Sequence, residues 1–346
     1  MSRHVASPDP SAARAVAVWL LICCALVFAM VVLGGVTRLT ESGLSMVDWR
    51  PLMGTLPPFG QAEWQAVFDQ YKAFPEYQKI NAGMTLAEFK GIFWFEYTHR
   101  VLGRAIGLAF FLPFLWFLFS GRVRGPLAWK LAGVFLLGGL QGLMGWYMVK
   151  SGLVDDPRVS QYRLAAHLAL AVLVYGLMLW LALGLLRPAA GRPEAPRGAA
   201  WGLIALISLT ILSGAFVAGL DAGMDYNTFP LMDGRFVPDG YLAQSPALVN
   251  IFETIAAVQF NHRWLGMTTG LLALAFVWRL ATRGPDASLR RAAGLFGAMA
   301  LVQPTLGILT LLLVVPVALA ALHQAGALLL FTAALWTAFE LRRPVD

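Results

Sequence analysis

The chain has 346 residues; 58% of them are hydrophobic, 13% are charged, and the net charge is +7. A soluble domain carries about a quarter charged residues and just under half apolar ones, so a disordered chain, a coiled coil and an ordinary soluble enzyme are excluded. The apolar residues stand in long blocks, which is typical of a protein that crosses a membrane several times, and the positive charge therefore predicts no nucleic-acid partner.

Eight apolar segments are long enough to cross a bilayer, at about twenty residues each. Because lipid offers the backbone no other hydrogen-bond partner, each must be a helix, and the predicted fold class is all-α, a polytopic membrane protein. The segments are residues 15–35, 97–119, 131–149, 164–186, 199–219, 261–280, 292–315 and 317–339. The first is too long for a signal peptide and lacks a small-residue cleavage site. Its cysteines, Cys23 and Cys24, are too few for a thiolate zinc site.

The loops on one side of the membrane carry most of the positive charge. The two termini and the loops after spans two, four and six hold fourteen basic and five acidic residues, against nine basic and fourteen acidic residues in the opposite loops. The positive-inside rule therefore places both termini in the cytoplasm. It places the two long loops, residues 36–96 and 220–259, on the outer side.

The first outer loop contains a predicted helix of its own. Four large side chains recur at helical spacing, which indicates a helix lying on the outer surface; they are Trp64, Val67, Phe68 and Tyr71. Thr85 and Glu88 have the spacing of a capping box and are predicted to start the helix that enters the second span.

The two halves of the chain resemble each other. Residues 35–53 align with residues 214–232 at a constant offset of 179, and residues 96–103 align with residues 259–266. Each half has four spans, so both halves enter the membrane from the same side, as parallel repeats do. We therefore expect two four-helix bundles side by side, residues 1–190 and residues 191–346.

Four of the five histidines lie near the outer start of even-numbered spans, two in each half: His99, His167, His262 and His323. The fifth, His4, lies in the polar N-terminal tail and is expected to be solvated. A lone histidine in a span is more often a helix-contact residue, but two on facing helices of one bundle suit haem iron. Zinc or copper usually needs more ligands than each half offers, and a proton relay does not explain the pairing.

Arg100 and Arg263 each follow one of these histidines in the sequence. Two interpretations are open for their guanidinium groups. They hold haem propionates near the outer surface, or they snorkel to the lipid–water boundary.

The halves differ three residues before the first histidine of each pair, where Glu96 stands in the first half and Gln259 in the second. Residues three apart share a helix face, so Glu96 lies beside His99; it also has the spacing for an ion pair with Arg100. Four residues at the end of span one, Thr37, Arg38, Thr40 and Glu41, have less polar counterparts. The first half is therefore predicted to be where bonds change, and the second to transfer electrons.

Together these motifs resemble those of the haem A synthase family, membrane enzymes that convert haem O to haem A for terminal oxidases. The resemblance covers nearly the whole chain, through residues 34–43 (GGVTRLTESG), 96–100 (EYTHR) and 261–266 (NHRWLG) and the single histidines His167 and His323. Some members have a cysteine pair in the outer loops. This chain has none there, so it is similar to the proteobacterial and mitochondrial branch.

The resemblance implies a role for each histidine. In that family the N-terminal half is associated with haem O and the C-terminal half with a haem b cofactor. His99 and His167 would therefore face the substrate haem, and His262 and His323 would bind the haem b iron. The implied reaction oxidises a porphyrin methyl group to a formyl group in two successive oxidations. If both His99 and His167 bind iron, no coordination position remains for oxygen, so water would supply the oxygen atom and Glu96 is the candidate base.

The implied location is the cell inner membrane, with the haem sites toward the periplasm. The implied partners are haem O and membrane lipid; haem O synthase, oxidase assembly factors and a second copy of the chain are further candidates. Two other functions stay open. An electron-transfer cytochrome b with two haems would need no difference between Glu96 and Gln259, and a transporter built from parallel repeats would leave four aligned histidines as a coincidence.

Overall fold

The computed structural model describes residues 10–47, 56–153, 159–187 and 195–342. Its α-helices are α1 (Pro10–Leu39), α2 (Gly60–Lys72), α3 (Pro75–Lys79), α4 (Leu86–Phe119), α5 (Gly125–Gly152), α6 (Gln161–Leu186), α7 (Arg197–Gly219), α8 (Asn250–Glu253), α9 (Ile255–Ala281), α10 (Ala287–Leu312) and α11 (Val317–Glu340). Eight of them, α1, α4, α5, α6, α7, α9, α10 and α11, are long and apolar enough to cross a membrane. The predicted all-α fold with eight membrane helices is confirmed.

Three sequence predictions concern residues outside the described ranges. They are the solvated His4, the part of the internal repeat at residues 51–53, and the part of the segment between the halves that contains Arg192. These predictions stay as stated.

The second membrane helix begins well before the apolar segment that predicted it. The side chain of Thr85 accepts a hydrogen bond from the backbone N–H of Glu88, and the Glu88 carboxylate accepts one from the backbone N–H of Thr85 at 2.8 Å. This is the predicted capping box. Because α4 starts in the outer loop, His99 lies several turns inside the helix rather than at its end.

The membrane helices of each half have the same neighbours. In the first half, α1 and α5 each pack against both α4 and α6; in the second half, α7 and α10 each pack against both α9 and α11. The halves meet where α1 contacts α11, where α7 contacts α6, and where α6 contacts α11. The arrangement as two parallel-repeat bundles remains an interpretation, which this adjacency supports.

Polar contacts join the two halves inside this interface. The hydroxyl groups of Tyr175 on α6 and Thr332 on α11 are 2.8 Å apart. On α11, the side-chain amide of Gln324 donates to the carbonyl oxygen of Val31 at 2.9 Å. A Cβ on Gly35 would lie only 1.7 Å from Oε1 of Gln324. Glycine at residue 35 therefore allows this close approach of α11 to α1.

Ion pairs lie at both ends of the interface. Near the histidines, Arg38 at the end of α1 pairs with Asp221, which follows α7, at 2.8 Å. At the opposite end, Arg187 after α6 pairs with Glu340 of α11 at 2.7 Å, and it also donates to the hydroxyl of Ser288 on α10. Each pair connects residues from different halves of the chain.

The first outer loop forms a small domain-like lobe above the membrane helices. Its core consists of five buried aromatic side chains on α2 and the start of α4: Trp64, Phe68, Tyr71, Phe89 and Phe93. The helix predicted from the aromatic spacing is α2, and only Val67 of the four predicted residues is not fully buried.

A carboxyl group is buried in this lobe. Glu76 of α3 is only 4% exposed, and its Oε2 makes no hydrogen bond within the described part of the chain. Burial raises the pKa of Glu76 to about 8, and the carboxylates of Glu96 and Glu41 add to this increase, whereas a hydrogen bond with Tyr71 opposes it. Glu76 is therefore largely protonated at neutral pH.

Reporter fusions test the orientation of the helices. Fusions at Arg122, Arg192 and Arg283 should all report a cytoplasmic position, because the excess of basic residues lies on that side. A fusion at Gly83, in the outer lobe, should report a periplasmic position. A periplasmic signal at any of the three arginines would contradict the parallel arrangement of the halves.

Replacement of Glu76 by glutamine should change how stability depends on pH. Between about pH 4.5 and pH 8 the folded lobe holds a proton that the unfolded lobe has lost, so wild-type stability falls as pH rises through this window. Glu76→Gln stays neutral, and at high pH the wild type should be less stable than the variant by on the order of a few kcal/mol. Proteolysis rates of residues 56–85 measured against pH would report this. The exposed Glu63→Gln is the control, and equal pH profiles for all three proteins would refute the prediction.

Candidate functional site

Each of the four membrane histidines lies against a glycine on a neighbouring helix. The structure pairs His99 of α4 with Gly34 of α1, His167 of α6 with Gly145 of α5, His262 of α9 with Gly214 of α7, and His323 of α11 with Gly307 of α10. A Cβ on these glycines would lie 3.1, 3.2, 3.0 and 2.8 Å from the respective imidazole rings. The glycines therefore provide the space in which each ring lies across an adjacent helix.

The structure brings the two histidines of the C-terminal half together. The ring centroids of His262 and His323 are 6.3 Å apart, and the ring planes are 87° apart. Each ring nitrogen lies about one ring radius from the ring centroid. When both radii are subtracted from 6.3 Å, about 4 Å remains for the distance between one nitrogen of each ring. Two metal–nitrogen bonds of about 2 Å each would span this distance. The separation therefore fits two axial ligands of one haem iron. Among the described residues, His99 and His167 make no such ring contact with each other.

Side-chain hydrogen bonds orient three of the rings. The amide nitrogen of Gln303 lies 3.1 Å from Nδ1 of His323 and also donates to the His323 carbonyl oxygen at 2.8 Å. The amide nitrogen of Gln141, at the matching repeat position, lies 3.2 Å from Nε2 of His167. The hydroxyl of Ser213 lies 2.8 Å from Nδ1 of His262. A ligating histidine donates the proton of its other ring nitrogen to an acceptor; the hydroxyl of Ser213 can be that acceptor, whereas the amide nitrogens of Gln303 and Gln141 donate to the rings.

Glu96 connects α4 to the start of the outer loop. It is only 3% exposed. Its Oε2 accepts hydrogen bonds from the hydroxyl of Ser45 and the backbone N–H of Met46, both at 2.7 Å. Its Oε1 pairs with Arg100 at 2.5 Å, and Arg100 also donates to the Met46 carbonyl oxygen at 2.7 Å. The predicted ion pair is present, and it holds residues 45 and 46 against α4.

Gln259 makes the corresponding connection in the second half with the opposite polarity. Its amide nitrogen donates to the carbonyl oxygens of Ala222 at 2.6 Å and Asp225 at 2.5 Å. Its Oε1 accepts a hydrogen bond from Arg263 at 2.8 Å, and Arg263 donates further to the carbonyl oxygens of Thr228 and Tyr226. The loop after α1 thus offers donors to a carboxylate, and the loop after α7 offers acceptors to an amide.

These contacts give Arg100 and Arg263 a structural role beside the predicted one. Both guanidinium groups bind the loop that follows the first helix of their own half. The binding of haem propionates by Arg100 and Arg263 stays a prediction. The action of Glu96 as a base also stays a prediction. The same carboxylate accepts hydrogen bonds from the loop, so it has a structural role as well.

Two residues near the histidines were not singled out from the sequence. Ser213 is one, and it falls opposite Gly34 when the repeat offset is applied. Arg104 is the other: it lies on α4 one turn after Arg100, and the matching position of α9 holds Met267. A charged side chain within a membrane helix is costly and usually functional. The repeat alignment provided a signal for both positions.

One open cavity lies away from the histidines. It has a volume of about 830 Å³ and opens between α1 and α4 toward the start of α1, where Arg14, Trp19 and Trp116 line it. On α4, His99 lies several turns away from Trp116, toward the start of the helix. The candidate site is therefore identified by its side chains and glycines rather than by an open cavity.

Comparison with known proteins gives one consistent result. A family model described as COX15-CtaA, cytochrome oxidase assembly protein, matches residues 17–335. The chain is 56% identical to a heme A synthase of Nitrosospira multiformis, over 95% of this chain and 94% of that protein. It is 51% identical to a heme A synthase of Rhodospirillum centenum, over 98% of this chain and 92% of that protein. It is 48% identical to the mouse protein named heme A synthase COX15, over 98% of this chain and 85% of that protein.

Proposed function

The chain belongs to the COX15-CtaA family of cytochrome oxidase assembly proteins, and we propose on this basis that it is a haem A synthase. It oxidises one methyl group of haem O to a formyl group, which gives haem A for a terminal oxidase. The observation that carries the proposal is the pair of half-buried histidines in each half, every one with its ring against a glycine. The near full-length similarity to relatives named heme A synthase favours this enzyme over a di-haem electron-transfer cytochrome.

The C-terminal half holds a resident haem b. His262 and His323 are the residues that would hold its iron, and their separation of 6.3 Å between ring centroids supports this assignment. Haem b supplies a one-electron redox centre when bound. The protein contributes ligands that are already oriented, since Ser213 and Gln303 contact the two imidazoles.

The N-terminal half receives haem O. His99 and His167 face its iron, and the loop 36–96 covers the site. A substrate must enter and its product must leave, so this half needs a cover that can move. Glu96 and Arg100 join the first residues of that loop to α4. The division of the chain into a substrate half, residues 1–190, and a cofactor half, residues 191–346, follows from these roles.

Oxidation of a methyl group with water to a formyl group releases four electrons and four protons, so the chemistry needs water, a base and an external electron acceptor. With two histidines on the substrate iron, water supplies the oxygen atom of the formyl group. Glu96 holds a carboxylate one helical turn from His99, where it takes a proton as the methyl group is oxidised. Hydrogen bonds from Ser45 and Met46 and the ion pair with Arg100 keep that carboxylate in place, so that loss of one contact leaves it held by the other two.

The protein lies in the cell inner membrane with both termini in the cytoplasm and both haem sites toward the periplasm. Arg100 and Arg263, which lie within α4 and α9 next to the loop contacts described above, are the residues that would hold haem propionates. Membrane lipid surrounds the eight helices. Haem O synthase, oxidase assembly factors and a second copy of the chain are the candidate protein partners.

Conversion of haem O to haem A by the purified protein is the direct test, and single histidine variants test the division of labour. His262→Ala and His323→Ala should remove the low-spin haem b signal and abolish turnover. His99→Ala and His167→Ala should impair turnover while most haem b stays bound. Absorption spectra with chromatography of the extracted haems separate these outcomes. Loss of haem b in the His99 variant and its retention in the His262 variant would reverse the assignment of the halves.

Replacement of Glu96 by glutamine should remove most haem A production, because the variant keeps the shape of the side chain and loses its ionisable proton. Haem b content should stay unchanged. Haem A is quantified after incubation of purified protein with haem O.

Ser45→Ala is the matched control for the Glu96 variant. It removes one of the loop contacts of Glu96 and leaves the carboxylate intact, so it should retain most activity. If Ser45→Ala is as inactive as Glu96→Gln, the carboxylate acts by anchoring the loop. If both variants are fully active, Glu96 is not the base.

A further inference from the structure

The two halves differ in how the first histidine of each pair is held. Beside His262, the hydroxyl of Ser213 lies 2.8 Å from Nδ1. The residue 179 positions earlier is Gly34, and the residue before the glycine that contacts His99 is Leu33; neither has a hydroxyl to offer His99. This difference is separate from the exchange of Glu96 for Gln259 one turn before the histidines.

The hydrogen-bond partners of Ser213 fix the tautomer of His262. A serine hydroxyl has one proton to donate. Ser213 donates that proton to the carbonyl oxygen of Thr210 at 2.8 Å, so toward His262 it can only accept. Nδ1 of His262 therefore carries the proton and donates it to Ser213, with the backbone of Thr210 as a second partner of the ring. The lone pair of the neutral ring is then on Nε2.

Gly214 keeps this ring in position from the same helix. A Cβ at residue 214 would lie 3.0 Å from Cε1 of His262, so the ring lies directly over the backbone of α7. Ser213 and Gly214 together determine the position and the orientation of the imidazole. Neither interaction involves the second histidine, His323.

We propose that Ser213 is a positioning residue for the resident haem, which acts by holding His262 in the tautomer whose Nε2 binds iron. This rests on the proposed assignment of haem b to the C-terminal half. A hydrogen-bond acceptor at Nδ1 makes the imidazole a stronger ligand, and loss of such a contact typically weakens metal binding by about 10- to 100-fold. Gly34 has no hydroxyl, so it gives His99 no such hydrogen bond. A less firmly held histidine fits a haem that must be released.

The experiment compares three variants of the purified full-length protein that carries haem b. Ser213→Ala removes the acceptor. Ser213→Thr keeps a hydroxyl, which in a helix can still bond the carbonyl one turn earlier. Ser208→Ala is the matched control, because Ser208 on the same helix only donates to the carbonyl oxygen of Ile204 at 2.8 Å. The measurements are the rate of haem transfer to apomyoglobin and the reduction potential of haem b.

Ser213→Ala should release haem b about 10-fold faster or more than the wild type. Its reduction potential should rise, since a weaker ligand stabilises oxidised iron less. Ser213→Thr and Ser208→Ala should match the wild type in both measurements. Wild-type release and potential in Ser213→Ala would overturn the inference, and so would an equal change in Ser208→Ala.

The same preparation separates failure of this inference from failure of the proposed function. His262→Ala should lose haem b altogether. If His262→Ala keeps haem b, the assignment of the resident haem to this half is wrong. If it loses haem b while Ser213→Ala behaves as wild type, only the role of Ser213 is wrong.

Discussion

The contact between an imidazole and a glycine on the next helix is the interaction on which the site depends. A histidine ring inside a bundle of apolar helices needs space and a hydrogen-bond partner, because an unsatisfied polar group in lipid is costly. Glycine provides the space at Gly34, Gly145, Gly214 and Gly307. Any larger residue there would force the rings or the helices to move. In each half, the helices that pack against each other are therefore the helices that carry these histidine–glycine contacts.

The outer loops depend on a second interaction. In each half, the side chain on the helix has the hydrogen-bonding groups that complement those of its own loop, and these groups differ between the halves. A carboxylate at residue 96 accepts hydrogen bonds from Ser45 and Met46, whereas an amide at residue 259 donates them to two carbonyl oxygens. In both halves an arginine one turn later completes the network. The difference between Glu96 and Gln259 therefore has a structural origin in the loops, and the catalytic role proposed for Glu96 is additional to it.

Much of the fold could be predicted from the sequence, because apolar length and local spacing decide it. The eight spans, the capping box at Thr85 and the helix that contains Trp64 all follow from short-range patterns. The repeat predicted a histidine pair in each half; a ring contact is present between His262 and His323, and the roles of all four histidines stay predictions. The loop contacts of Glu96 and the hydroxyl beside His262 could not be predicted, since they depend on residues from different helices meeting in space. Only the comparison of the two halves pointed toward these positions.

The contacts between the halves have a consequence for the ancestry of the chain. The contact of α1 with α11 is the repeat counterpart of the contact of α7 with α6, and α6 and α11 meet each other directly. This is the pattern of an isologous dimer, in which both subunits use the same surface. In a dimer of identical four-helix subunits, every substitution changes both sites at once. Joining two such subunits into one chain would remove that constraint, so that each site would be free to change by itself.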